Sequence, residues 1–288
     1  MDRTTCIASI IASSLSTGFA AFAIYKWIKA EDSLSKYRNK YETQKEVDKF
    51  MIQNFLNIGN FPKLSSLIPT SALSYHENLA KFCSEMCAHY GVSQNRVLDV
   101  GCGVGGLSFY LSKTFKEVVG TDISYGMINY AQQLKQFAQT SVPFSMEGGK
   151  YINIYKCALP KETNRERVVF WDEDASALVY KCGKFNCIVV SNTLTDLSDT
   201  KSFLLDISDY VESNGLLIIS DSYSWENGPE ELLGGDGNKR TLNLLSEHLS
   251  PNWTFCEKTE FAYCIPQSYR SATVALNEVS VWQKKEII

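Results

Sequence analysis

Val97-Leu98-Asp99-Val100-Gly101-Cys102-Gly103-Val104-Gly105-Gly106-Leu107 is the stretch that decides the fold. A short apolar run stops at a glycine turn, and residues of helical pattern follow over Leu107–Phe115. Glycine lets a ligand approach the backbone, and a helix start offers free N–H groups. Downstream, Val118–Thr121 is a second apolar run, ending at Asp122, and Met127–Phe137 reads as a second helix. Val168–Phe170, Cys187–Ser191 and Leu216–Ser220 continue the series, with helical residues near Phe203–Val211. Alternating strands and helices predict a parallel sheet with helices on both faces. Trp253–Phe261 and Val274–Trp282 read as two antiparallel strands joined at Pro266. Pro143–Arg167 is mixed and reads as an insertion.

The loop narrows the ligand. It lacks Gly-Lys-Ser/Thr, so it is no phosphate-cradling loop of the nucleoside-triphosphate kind. Asp99 stands two residues before Gly101, where a carboxylate repels a pyrophosphate and suits an ammonium group. Asp122, at the end of the second strand, is placed to accept both hydroxyls of a ribose. Together they point to a nucleoside joined to an amino acid, with a nicotinamide- or flavin-binding domain as the alternative.

Upstream, Leu79, Phe82, Cys83, Met86, Cys87 and Tyr90 form a helical stripe closed by Gly91, and Val47, Phe50, Met51 and Phe55 form another. No charge occurs from Thr4 to Tyr25, and about 20 helical residues span a bilayer's hydrocarbon. This segment is expected to anchor the chain in a membrane. Lys26, Lys29, Lys36, Arg38 and Lys40 follow it, so the positive-inside bias would leave the globular part in the cytosol. The alternatives are a cleaved signal peptide, giving a secretory-pathway protein, and a buried helix of a soluble cytoplasmic one. The expected divisions are an anchor over 1–30, a linker and helical cap over 31–70, and the catalytic domain over 71–288.

Composition sets further bounds. With 28 basic and 32 acidic residues the net charge is −4, which disfavours a nucleic-acid partner. Nine cysteines without a CxxC pair, and three histidines, leave no expected metal site. His76, His89 and His248 read as packing residues, and Cys102 has no visible base to make it a nucleophile. Nothing in the sequence marks an oligomeric state.

Leu98-Asp99-Val100-Gly101-Cys102-Gly103-Val104-Gly105-Gly106 with Asp122 resembles the first two motifs of the class I S-adenosylmethionine-dependent methyltransferases. The resemblance implies a Rossmann-like α/β fold: a seven-stranded, mostly parallel sheet with an antiparallel C-terminal hairpin. It implies S-adenosylmethionine as cosubstrate, held by Asp99, Gly101, Cys102, Gly103, Asp122, Ile123, Met127, Asp174, Ala175 and Ser191. Several stretches over Tyr41–Lys284 are similar to the mercaptohistidine N-methyltransferase module of ovothiol biosynthesis. They are Tyr41-Glu42-Thr43, Glu147-Gly148-Gly149 through Arg167-Val168, Ser222-Tyr223-Ser224-Trp225, Leu233-Gly234-Gly235 and Asn277-Glu278-Val279-Ser280-Val281-Trp282. Pro266-Gln267 stands where that module has Arg-Glu, and Glu226–Glu231 is shorter than its counterpart. That likeness implies a small amino-acid-derived acceptor, with Asn192 and Tyr223 positioning it and Tyr41, Trp225 and Arg270 binding it; Arg240 is a second candidate for the acceptor's carboxylate. The alternatives are a lipid, quinone or other acceptor, and a catalytically silent scaffold that binds S-adenosylmethionine.

Overall fold

The computed structural model describes residues 41–286, apart from 57–61, 148–149, 176–182, 198, 226–227, 230–232 and 235–238. The apolar segment 4–25, Gly148-Gly149, Gly235, most of Glu226–Glu231, Cys6 and Cys182 therefore lie outside the described residues. Among those described, no helix is long and apolar enough to cross a membrane. Tyr41–Ile288 forms one compact unit.

The main sheet has seven strands in the order β5-β2-β1-β6-β7-β9-β8. These are β1 (Arg96–Val100), β2 (Glu117–Asp122), β5 (Val168–Asp172), β6 (Phe185–Ser191), β7 (Val211–Asp221), β8 (Trp253–Ser268) and β9 (Ser271–Lys284). Neighbours from β5 to β7 run parallel, and β9 lies antiparallel to both β7 and β8. The central strands are apolar on both sides because both faces are covered. Val97, Val118, Val189 and Ile218 enter one core. Leu98, Val119, Val190 and Ile219 enter the other.

Four helices contribute to the first core: α1 (Gln44–Phe55), α2 (Tyr75–His89), α3 (Gly106–Leu111) and α4 (Tyr125–Phe137). Against the second lie α5 (Thr200–Asp206) and α6 (Thr241–Leu249). The Thr43 hydroxyl caps α1 by accepting from the Glu46 amide, and Val47, Met51, Ile52 and Phe55 are its buried stripe.

The stretch read as an insertion carries most of a separate antiparallel pair, β3 (Gln139–Glu147) and β4 (Tyr151–Ala158). One expectation changes. The last hairpin does not turn at Pro266. That residue lies within β8 opposite Ala272, beside a register shift, and the chain turns at Tyr269-Arg270. Proline removes one ladder donor, and a bulge on an edge strand accommodates that loss. The hairpin consequently overhangs the sheet: Asp221, the last residue of β7, pairs with Glu278, and β9 begins seven residues earlier.

Candidate active site

The chain passes from β1 to β2 and β5 on one side, then returns to β6 on the other. The carboxyl ends of β1 and β6 thus form a topological switch point, where open α/β sheets take ligands. The glycine turn lies there. Gly101 has φ +69°, and a Cβ on it would overlap the Thr193 side chain after β6. Gly105, with φ +85°, starts α3.

Asp122 holds the turn to the next helix. Its Oδ2 accepts from the Gly103 amide at 2.8 Å and its Oδ1 from the Ser124 amide at 2.9 Å. Burial raises its pKa to about 6; the two amides lower it, while Asp172 and Glu42 push it up. The residues expected on the adenine side fall beside it: the Glu173 amide donates to the Asp122 carbonyl, and the Thr121 hydroxyl to the Glu173 carbonyl. Asp174 is half-buried and Ala175 buried there, while Ile123 is half-buried and Met127 buried at the start of α4.

Asp99 does not face the cleft as its sequence position suggested. It is 1% exposed, and its Oδ2 accepts from Ser108 Oγ at 2.6 Å. In a strand residues 97 and 99 share a face, and that face is the packed layer beneath α3. Burial raises its pKa to about 7, with nearby Asp122 adding to the rise. Cys102 is half-buried, its thiol pKa pushed well up by burial and by both aspartates. That suits packing and not nucleophilic attack.

The segment before α1 crosses the site. The Tyr41 hydroxyl donates to Asp196 Oδ2 at 2.6 Å, and its carbonyl accepts from Ser124 Oγ at 3.3 Å. Glu42 accepts from the Tyr125 and Gly126 amides, a carboxylate at the positive end of α4. A Cβ on Gly106 would overlap Asn54, so α1 lies close over the glycine turn.

At the ends of β6 and β7 the expected site residues Ser191 and Asn192 join a polar cluster with Tyr75, Ser220 and Asn277, for which the sequence suggested no site role. The Tyr75 hydroxyl lies 2.8 Å from both Ser191 Oγ and Ser220 Oγ. Asn277 Nδ2 donates to the Tyr75 hydroxyl and to Asn192 Oδ1, both at 2.9 Å. Asn192 has φ +51°, a conformation that costs a non-glycine residue about 1–3 kcal/mol. Asp221 accepts from the Tyr223 amide at 2.8 Å and the Leu194 amide at 3.2 Å. The signal for Asn277 was available: an amide in an apolar strand must find partners.

The remaining acceptor candidates scatter. The Tyr223 side chain packs toward the second core, its hydroxyl buried without a well-formed hydrogen bond. Trp225 Nε1 donates to Thr241 Oγ1 at 2.9 Å. Arg270 is exposed at the hairpin turn, eight positions before Glu278, and Arg240 is exposed at the start of α6. No group of three or more metal-ligating side chains occurs among the described residues. Seven cysteines fall there, all free.

The family that matches this chain is the methyltransferase domain, over residues 72–268. Phosphoethanolamine N-methyltransferase 3 of Arabidopsis thaliana is 44% identical over 52 residues, 18% of this chain and 11% of that protein. Phosphoethanolamine N-methyltransferase 1 of the same plant is 26% identical over 127 residues, 44% of this chain and 21% of that protein. The chain spans about a fifth or less of the length of the curated relatives it matches. Magnesium protoporphyrin IX methyltransferase of Synechocystis PCC 6803, solved with bound SAH, is 16% identical with TM-score 0.48, covering 83% of this chain and 100% of that one. With its central residues matched and its sheet closed by a reversed final strand, the chain belongs to the methyltransferase domain family.

Proposed function

We propose that this protein transfers a methyl group from S-adenosylmethionine to a nitrogen of a small amino-acid-derived acceptor, of the mercaptohistidine kind. One observation carries the cosubstrate: the glycine turn and Asp122 meet at the switch point, within a set of carboxylates. Asp122, Asp172, Glu42 and Asp196 raise the pKa values of their neighbours, so a cationic ligand relieves a repulsion already present. Asp122 is the group for the ribose, Asp174 and Ala175 for the adenine, and the turn around Gly101–Gly103 for the amino-acid end. Asp99 supports that turn from behind through Ser108.

S-adenosylmethionine supplies a methyl carbon already activated by its sulfonium. The chain's task is therefore orientation and exclusion of water, and orientation can supply on the order of 7–11 kcal/mol. Ser191 and Asn192, fixed by Tyr75 and Asn277, hold the end of β6 where acceptor and methyl meet. Tyr41 and Glu42 cover the cleft from above. An imidazole nitrogen is largely neutral near pH 7 and needs no strong base.

A phosphoethanolamine-like acceptor is the second reading, favoured by the relatives. Incubation with S-adenosylmethionine and either mercaptohistidine or phosphoethanolamine, followed by product mass, separates the two. Gain of one methyl by mercaptohistidine is the expected result; gain by phosphoethanolamine alone overturns it. The uncharged 4–25 stretch supports attachment to a membrane, and release by carbonate extraction would refute that.

A further inference from the structure

A cleft opens between α1, the start of α2 and the overhanging part of β8. Gln53, Leu56, Tyr75, His76, Tyr263 and Cys264 are among its lining residues. Tyr75 joins it to the reaction centre: the ring lines the cleft, while the hydroxyl contacts Ser191 and Asn192. Tyr263 makes a second connection, since its hydroxyl sits beside Ser222 with Asp221 and Asp196 close enough to oppose its ionisation.

The lining has a distinct chemistry. The ring centroids of Tyr75 and Tyr263 are 5.5 Å apart, and those of Tyr75 and His76 are 5.2 Å apart at 70°. These surfaces suit offset or edge-to-face contact with another ring. None of the lining residues is an acid, a lysine or an arginine. His76 is half-buried, and desolvation lowers its pKa to about 4, so it offers an uncharged imidazole. The cosubstrate end of the site, by contrast, is edged with carboxylates.

We propose that this cleft receives the methyl acceptor and selects a flat, uncharged heteroaromatic ring, contacted by His76, Tyr75 and Tyr263. The proposal rests on the methyl-transfer reading above and gives it a location and a ligand class. It also moves His76 from packing residue to acceptor-binding residue.

The chain has three histidines, so their ring C–H signals in a proton–carbon NMR spectrum are few enough to assign. The full chain, saturated with S-adenosylhomocysteine, is titrated to millimolar concentration with mercaptohistidine, imidazole and phosphoethanolamine in turn. The expected result is movement of the His76 signal by the two ring compounds, with His89 and His248 unmoved. Gln53→Trp, a half-exposed site on α1 that reaches the cleft, should weaken that response about tenfold. An unmoved His76 signal, an equal response in Gln53→Trp, or a response to phosphoethanolamine alone overturns the proposal. Product mass with S-adenosylmethionine scores methyl transfer separately. Methylation with an unmoved His76 refutes the cleft and leaves the reaction; movement without methylation does the reverse.

Discussion

Asp122 and Asp221 are the same device at two strand ends. Each is the last residue of its strand, and each accepts one amide two residues ahead and another from a neighbouring loop. Both have a pKa raised to about 6, first by burial. Their surroundings differ. Asp221 is 2% exposed, whereas Asp122 is half-buried beside the glycine turn. Under the proposed function, the same hydrogen bonding serves a ligand at one end of the site and architecture at the other.

The largest effect expected is from Gly101→Val. It forces a branched side chain into φ +69° against Thr193, which should cost about 2–4 kcal/mol and abolish cosubstrate binding. Thermal unfolding and calorimetry measure the two losses. Asp122→Ala and Asp221→Ala then test the comparison directly. Loss of Asp221 strands two buried amides and should cost about 2–3 kcal/mol, with S-adenosylmethionine affinity little changed. Loss of Asp122 should cost about 1 kcal/mol but weaken cosubstrate binding about 10- to 100-fold. Equal profiles for the two variants would erase the distinction.

Titration sharpens it. Folding raises the carboxyls of Asp99, Asp122 and Asp221 from the ordinary 3.8 to about 7, 6 and 6. The folded chain therefore holds more protons than the unfolded one between those values. Their contribution is fully present below pH 3.8 and is lost as pH rises through 6–7. Unfolding midpoints should fall between pH 5 and pH 8, and S-adenosylmethionine affinity should rise severalfold over that interval as Asp122 ionises. An affinity flat with pH would remove Asp122 from the cosubstrate site. The smallest effect is from Tyr41→Phe, which deletes the 2.6 Å bond to Asp196 and should cost about 1 kcal/mol or less. Faster dissociation of S-adenosylhomocysteine in stopped flow would show that the bond holds the cover in place.

The glycine-turn half was legible because its constraints are local. Gly101 and Gly105 need positive φ, Asp122 ends its strand, and apolar runs mark the buried strands. The other half was not, because its geometry depends on distant pairings. Tyr75 meets Ser220 across 145 residues and Asn277 across 202, and no sequence window contains both members. Asp99 shows the converse: its position along the strand was readable, but which face it entered depended on Ser108 being there to receive it. The turn at Tyr269-Arg270 was missed because Pro266 is the stronger local punctuation, and the β8–β9 register overrides it.

The order β7-β9-β8 has a consequence for biogenesis. β9 is made after β8 yet lies between it and β7, so on the growing chain β8 has no neighbour to pair with. Trp282 and Val281, which enter opposite cores, arrive after the other buried members of those cores. Both hydrophobic layers remain unsealed until β9 is made, and a premature stop anywhere in β9 would release a nascent product with an open, sticky sheet edge.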